Sequence, residues 1–253
     1  MYKEHPIFKS PDNENEKIWR YTDFTKFVSL MDRQSLFFAR ADKLGDPFEG
    51  SRTKLNIDQQ QKNYKSLRLQ SGLSEEWASK ISQTTSGTWK KFRECMFVNC
   101  WNRSDYESAA LWKLHLKTGE GIAIQSTFKR LIESLSKDLE HEIYIGKVNY
   151  IDYETELMRE DNAFYPLMHK RRSFEMEREL RAVIMKYAVK VLQQEKSSPL
   201  GLYISVDLDI LVEKLFVSPT APEWFSDLVT SVVNKYGLKM EVIQSSLAGS
   251  PIF

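Results

Sequence analysis

Met96-Phe97-Val98-Asn99-Cys100-Trp101 leads through Asn102-Arg103 into Ser104-Asp105-Tyr106-Glu107-Ser108-Ala109-Ala110-Leu111-Trp112-Lys113-Leu114-His115, and Gly119-Glu120-Gly121 turns the chain into Ile122-Ala123-Ile124-Gln125. The first run is almost wholly apolar and predicts a strand buried on both faces. Ser104–Lys117 predicts a helix, ended by the glycines, and residues 122–125 predict the next strand. The flanking sequence does not continue this strand–helix–strand beat. Upstream, Ile18–Tyr21 predicts a strand, Thr22-Asp23 offers an N-cap to a helix over Phe24–Arg33, and Leu36–Ala39 predicts a second strand. Downstream, helices are expected over 128–139, 163–176, 208–214 and from Pro222 to about Tyr236. Strands are expected over 143–153, 180–185, 201–206, 215–217 and 238–244. An irregular mixture of this kind predicts an α+β fold: a single mixed, mainly antiparallel sheet with flanking helices, and no doubly wound parallel sheet.

Two segments stand apart. Residues 1–17 are polar and predict a flexible N-terminal arm. Residues 51–94 are rich in Gln, Lys and Ser, and predict a mobile helical insertion on the outside of one domain spanning 18–253. The chain has 253 residues, 36 Lys+Arg against 35 Asp+Glu, and 42% hydrophobic residues, enough to form a core and to disfavour disorder. A net charge of +1 argues against a dedicated duplex-DNA binder while permitting a local basic patch. The opening residues show no signal-peptide pattern, and no apolar stretch is long enough to span a membrane. Cys95 and Cys100 have neither redox nor zinc spacing and are expected as reduced thiols in a cytoplasmic protein.

Phosphate-loop, dinucleotide-fingerprint, zinc-protease and serine-hydrolase motifs are absent. Five clusters remain. Arg20 lies inside an apolar strand, where it needs either an ion-pair partner or a ligand. Asp42–Gly50 suits either a ligand loop or a turn capped by its own Asp side chains. Ser108 and Trp112 share a helix face that either lines a cleft or packs into the core. His169–Arg172 either meets phosphates or is a solvated helix end. Glu177, Glu179 and Arg181 alternate by two, which predicts one shared face of an extended segment. That face is either solvent-exposed or a site in which neighbouring carboxylates raise one another's pKa for acid–base work.

Trp19-Arg20-Tyr21, Gly45-Asp46-Pro47-Phe48-Glu49-Gly50, Cys100-Trp101, Glu107-Ser108-x-x-Leu111-Trp112 and Phe174-x-x-Glu177-x-Glu179-x-Arg181 together resemble a bacterial family of unknown function over about residues 18–220. More distantly, the layout is similar to the ADP-ribosyltransferase superfamily. That resemblance implies an ADP-ribosyltransferase-like fold and NAD as substrate. It implies Glu179 or Glu177 as the catalytic carboxylate. Arg20, Tyr21, Ser108, Trp112, Lys170 and Arg181 would surround the NAD, with Arg20 and the 169–172 basic residues on the pyrophosphate. It further implies a toxin or phage-defence effector, with a nucleic-acid target among the options. Two other readings stand beside it. One is a metal-dependent nucleic-acid-processing effector in which Glu177, Glu179 and Asp46 gather Mg²⁺. The other is a non-catalytic module that docks a protein partner through 51–94, with Trp77 and Trp89 as anchors.

Overall fold

The computed structural model describes residues 1–72, 74–116, 119–193 and 198–249. In chain order its elements are β1 (Lys17–Asp23), α1 (Phe24–Arg33), β2 (Ser35–Arg40), α2 (Lys54–Ser71), α3 (Glu75–Glu94), β3 (Met96–Arg103), α4 (Ala109–His115), β4 (Gly121–Thr127), α5 (Phe128–Ser134), β5 (Tyr144–Lys147), β6 (Asn149–Ile151), β7 (His169–Arg171), β8 (Glu179–Met185), α6 (Ala188–Leu192), β9 (Gly201–Ser205), α7 (Leu208–Leu211), β10 (Lys214–Val217), α8 (Glu223–Lys235) and β11 (Val242–Gln244). Among these residues, nine strands form one sheet. Its main path runs β11-β10-β4-β1-β3-β2-β9, with β8 on β3 and β5 on β8. All its pairings are antiparallel except β10 with β11, and β6 and β7 form a separate parallel pair. The fold is therefore mixed α+β with a mainly antiparallel sheet and flanking helices, as the irregular strand and helix pattern predicts.

β3 is the hub. β8 pairs along one of its edges from Met96 to Asn102. Two strands share the other edge: β1 takes Asn102 and Arg103, and β2 takes Phe97 and Val98. Asn99 to Trp101 lie between these two pairings, where β1 and β2 splay apart. Side chains satisfy the backbone there: Arg20 Nη1 donates to the Cys100 carbonyl at 2.8 Å, and Asn99 Nδ2 donates to the Phe37 carbonyl at 2.9 Å. This break in the ladder opens a cleft in the sheet.

Local chemistry explains the elements around it. Asp23 ends β1 and caps α1, its carboxylate accepting from the Lys26 N–H at 2.8 Å. Phe27, Leu30 and Met31 of α1 are buried in the main core against Ile18, Ile124 and Phe225. Burial alone would raise the Asp23 carboxyl, but hydrogen bonds from Lys26 and Thr25 outweigh it and bring it down to about 2. A carboxyl that titrates lower folded than unfolded contributes stability above its unfolded value and loses it as the pH falls through the folded one. Acid titration of the wild type should therefore show a loss of stability between about pH 4 and pH 2 that is smaller in Asp23→Ala; identical acid limbs would refute the cap.

Several expectations need correction. The helix expected over 163–176 is instead a 3-10 turn (Tyr165–Met168), β7, and a second 3-10 turn (Arg172–Glu177). Pro166 removes a backbone donor, and β7 is held by β6 and by buried charges described below. The strand expected over 143–153 splits at Val148, whose N–H donates to the Glu179 carbonyl, so β5 joins β8 while β6 joins β7. The N-terminal segment, read as a flexible arm, packs onto the protein: Tyr2 bridges Ile143, and buried Phe8 stacks on Tyr144 and meets Phe164 edge-on. α2 and α3 occupy the 51–94 span. Trp77 is exposed, whereas Trp89 is half-buried beneath the Arg52 guanidinium and beside Phe92. Cys95 and Cys100 are both free thiols. Among the described residues, no helix is long and apolar enough to cross a membrane.

Candidate active site

Residues of β1 alternate across the sheet. Trp19 and Tyr21 turn toward Leu111 and Trp112 of α4, while Ile18 enters the main core. Arg20 shares the Ile18 face by the same period of two. Its guanidinium sits at the break in the β3 ladder, where burial holds its pKa below the ordinary arginine value. Among the described residues no carboxylate lies within ion-pair distance of Arg20. A charged group kept half out of water without a counter-ion is costly unless a ligand supplies the anion.

The opposite wall is acidic. The Gly45–Gly50 loop is a self-capped turn, in which Asp46 accepts from the Phe48 N–H at 3.0 Å, and it delivers Glu49 inward. Glu49, Glu177 and Glu179 surround Lys170, whose Nζ lies 3.2, 2.5 and 3.5 Å from them respectively. Arg181, its side chain fully buried, is 2.7 Å from Glu49 and 2.6 Å from Glu179, and donates to the Leu167 carbonyl at 2.6 Å. Three carboxylates thus meet two cations in a water-poor pocket.

Their protonation is split. Burial pushes Glu179 up, but Arg181 and Lys170 outweigh it and hold the carboxyl below the usual range. Burial also pushes Glu177 up; the Lys170 hydrogen bond opposes this, while the charges of Glu179 and Glu49 add to it, and the carboxyl ends above the usual range. One carboxylate is kept ionised while its neighbour is made easier to protonate, a pairing suited to acid–base division of labour.

The convergence of Glu177 and Glu179 does not come from strand alternation. β8 begins only at Glu179; Glu177 closes a 3-10 turn, and Arg178 takes the left-handed conformation (φ 41°) between them. β3 clamps this turn: Asn102 Nδ2 donates to the Glu177 carbonyl at 2.5 Å, and the Arg103 N–H donates to the Arg178 carbonyl at 3.1 Å.

The resulting cleft has a volume of about 460 Å³. Arg20, Tyr21, Glu177 and Glu179 line it together, with Cys100, Asn102, Leu111 and His115 among their neighbours. Burial, and then Arg20, hold the His115 imidazole below its usual range. Lys170 and Arg181 sit behind the two carboxylates. Lys170 is thus occupied with glutamates, and the 169–172 run is no open phosphate patch: His169 Nδ1 bonds the Tyr165 carbonyl at 2.6 Å, Arg171 pairs with Asp46 at 2.8 Å, and Arg172 pairs with Glu156 at 2.7 Å. Asp46 is likewise held by Arg171, and among the described residues no group of three or more His, Cys, Asp or Glu is placed to hold a metal ion.

Ser108 and Trp112 act one layer back. The Ser108 Oγ caps α4 by accepting from the Leu111 N–H at 3.3 Å, and its own N–H donates to the Tyr21 hydroxyl at 2.7 Å. Burial pushes that phenol up to about 12. Trp112 is buried edge-on to Tyr21 at 5.0 Å and donates to Glu107 at 3.0 Å. Both residues fix the Tyr21 wall without lining the cleft. Glu49 is not among the individual site residues expected from sequence; its signal is its place near the end of the candidate ligand loop Asp42–Gly50, dense in Asp and Gly. A second cavity of about 260 Å³ adjoins the cleft and shares Arg20, Thr22, Lys26 and Phe37 with it; Tyr203 lies on its wall.

The chain matches no family model and no curated protein. Solved structures similar to it include Thermus sp. 2.9 DarT in complex with NAD+, at a TM-score of 0.41 and 6% identity over 93% of this chain and 97% of that one. The same protein in complex with carba-NAD+ gives 0.41 and 5% over 93% and 98%. In complex with ADP-ribosylated ssDNA it gives 0.41 and 6% over 95% and 97%.

Proposed function

We propose that the cleft takes NAD and that the chain is an ADP-ribosyltransferase-like enzyme. The observation that carries this reading is Arg20: a half-buried guanidinium without a carboxylate partner among the described residues, on the wall of the cleft that also holds Glu177 and Glu179. The two adjoining cavities suit a ligand in two halves, and Arg20 lies where they meet, so a pyrophosphate would lie against it; Lys26, also shared, is paired with Asp23 at 2.7 Å. The motif resemblance points the same way.

The chemistry follows from the charges. Transfer breaks the bond between the ribose C1′ and the nicotinamide nitrogen, and the bonding pair leaves with nicotinamide. Positive charge develops at C1′, where an ionised Glu179 held by Arg181 and Lys170 is the stabilising group. An acceptor oxygen or nitrogen bonds to C1′ and gives up its proton, which Glu177 takes, since its carboxyl sits above the usual range. A nucleic-acid acceptor is favoured by residues 51–94, where nine Lys and Arg face four Asp and Glu in a chain of net charge +1. Lys62, Lys65 and Lys80 of that span are exposed.

The test is release of nicotinamide from NAD by the full chain, alone and with single-stranded or duplex nucleic acid. Release with ADP-ribose on the nucleic acid is expected. No release under any of these conditions would overturn the reading, and degradation of the nucleic acid with added Mg²⁺ but without NAD would favour the metal-dependent alternative.

A further inference from the structure

Asn102 lies at the centre of the site. On β3 it is the register partner of Trp19 on β1 and of Glu179 on β8. Its side chain is buried, at 9% exposure, on the wall of the cleft. Nδ2 donates to the Glu177 carbonyl, but Oδ1 has no hydrogen-bond partner. Reversing the amide would not help, because Oδ1 would then face the Glu177 carbonyl oxygen and two acceptors would oppose each other. Buried acceptors are almost always satisfied, so a partnerless one in a cleft calls for a donor from outside the protein. Trp19, Tyr21, Trp101 and Leu111, all buried, line the same cleft and make that part of its wall apolar.

We propose that Asn102 Oδ1 reads an N–H donor of an aromatic carboxamide, and so selects the nicotinamide end of the dinucleotide. The inference rests on the NAD reading of the cleft and adds to it a specificity-determining residue. A ligand bringing a donor gains a hydrogen bond to this buried acceptor, whereas an isostere without one leaves the acceptor orphaned. Because the same side chain holds the turn that carries Glu177, recognition of the carboxamide and placement of that carboxylate share one residue.

The test compares NAD with 3-acetylpyridine adenine dinucleotide, a neutral analogue in which a methyl ketone replaces the carboxamide and its donor. Calorimetric titration of the full chain should show NAD binding about tenfold or more tightly than the analogue. In Asn102→Leu the two should bind within about threefold of each other, with the loss falling on NAD. If the wild type binds both equally, the inference falls while the NAD reading stands, and this arm needs no variant to fold. An unchanged preference in a folded Asn102→Leu protein overturns it as well. Failure of the wild type to bind either dinucleotide overturns the NAD reading and this inference with it.

Discussion

Arg181→Met should lower stability by about 3–5 kcal/mol, the cost of leaving buried carboxylates without their cation. The arginine side chain is fully buried, and its fork holds Glu49 on one side and Glu179 on the other. Methionine fills much of the same volume, so the loss reports charge and hydrogen bonds rather than a cavity. Glu49 and Glu179 would keep only Lys170, which already serves Glu177. The Leu167 carbonyl would also lose its donor. Arg181→Lys should recover part of the loss, because it restores the charge without the two-sided fork. Denaturant midpoints would measure this, and a loss below about 1 kcal/mol would show that the cluster is not a desolvated network.

Glu179→Gln should reduce NAD turnover by about 10²–10³-fold, the scale seen when one preorganised electrostatic group is lost from an active site. Glutamine keeps one acceptor oxygen, which can serve Arg181, and turns its NH2 toward Lys170, which retains Glu49 and Glu177; Arg181 also retains Glu49, so the fold should survive with a stability loss of about 1–2 kcal/mol. The variant also has a signature in pH. The charge of Glu179 helps to hold the Glu177 carboxyl above its usual range. With that charge gone, Glu177 should titrate lower, and the acid limb of the residual activity should move to lower pH. Turnover within about threefold of wild type would remove Glu179 from the reaction.

Much of the sheet was legible from sequence because its strands are apolar runs bounded by turn residues. β1, β2, β3, β4 and β8 all belong to this kind. The misread stretches share a cause: a local pattern overridden by distant partners. Phe164, Leu167 and Met168 recur at helical spacing, yet they pack into a second core cluster with Ile7, Phe8 and Val183. Lys170, which looked like part of a solvated basic run, is drawn inward by three glutamates. Phe8 is one of few apolar residues in a polar segment, and its partners Tyr144 and Phe164 lie far along the chain.

The site divides in the same way. Arg20 and Tyr21 stand out in sequence because polar groups punctuate an apolar strand, and Glu177 and Glu179 because two carboxylates come just as an apolar strand begins; the fold brings all four to one cleft. Glu49 was hidden because its role depends on Arg181, a residue 132 positions away. The cleft itself was not legible, since it arises where β1 and β2 divide one edge of β3, and strand order is set by packing rather than by any local pattern.

On the proposed reading, Arg20 takes the anionic part of NAD. Calorimetric titration of the wild type and of Arg20→Met with NAD, at fixed ionic strength, tests it most directly. Binding by the wild type with a loss of about tenfold or more in the variant is the expected result, the cost of removing a charged hydrogen-bond donor to a phosphate. Equal affinity of the two proteins, or no binding by the wild type, would overturn this role for Arg20.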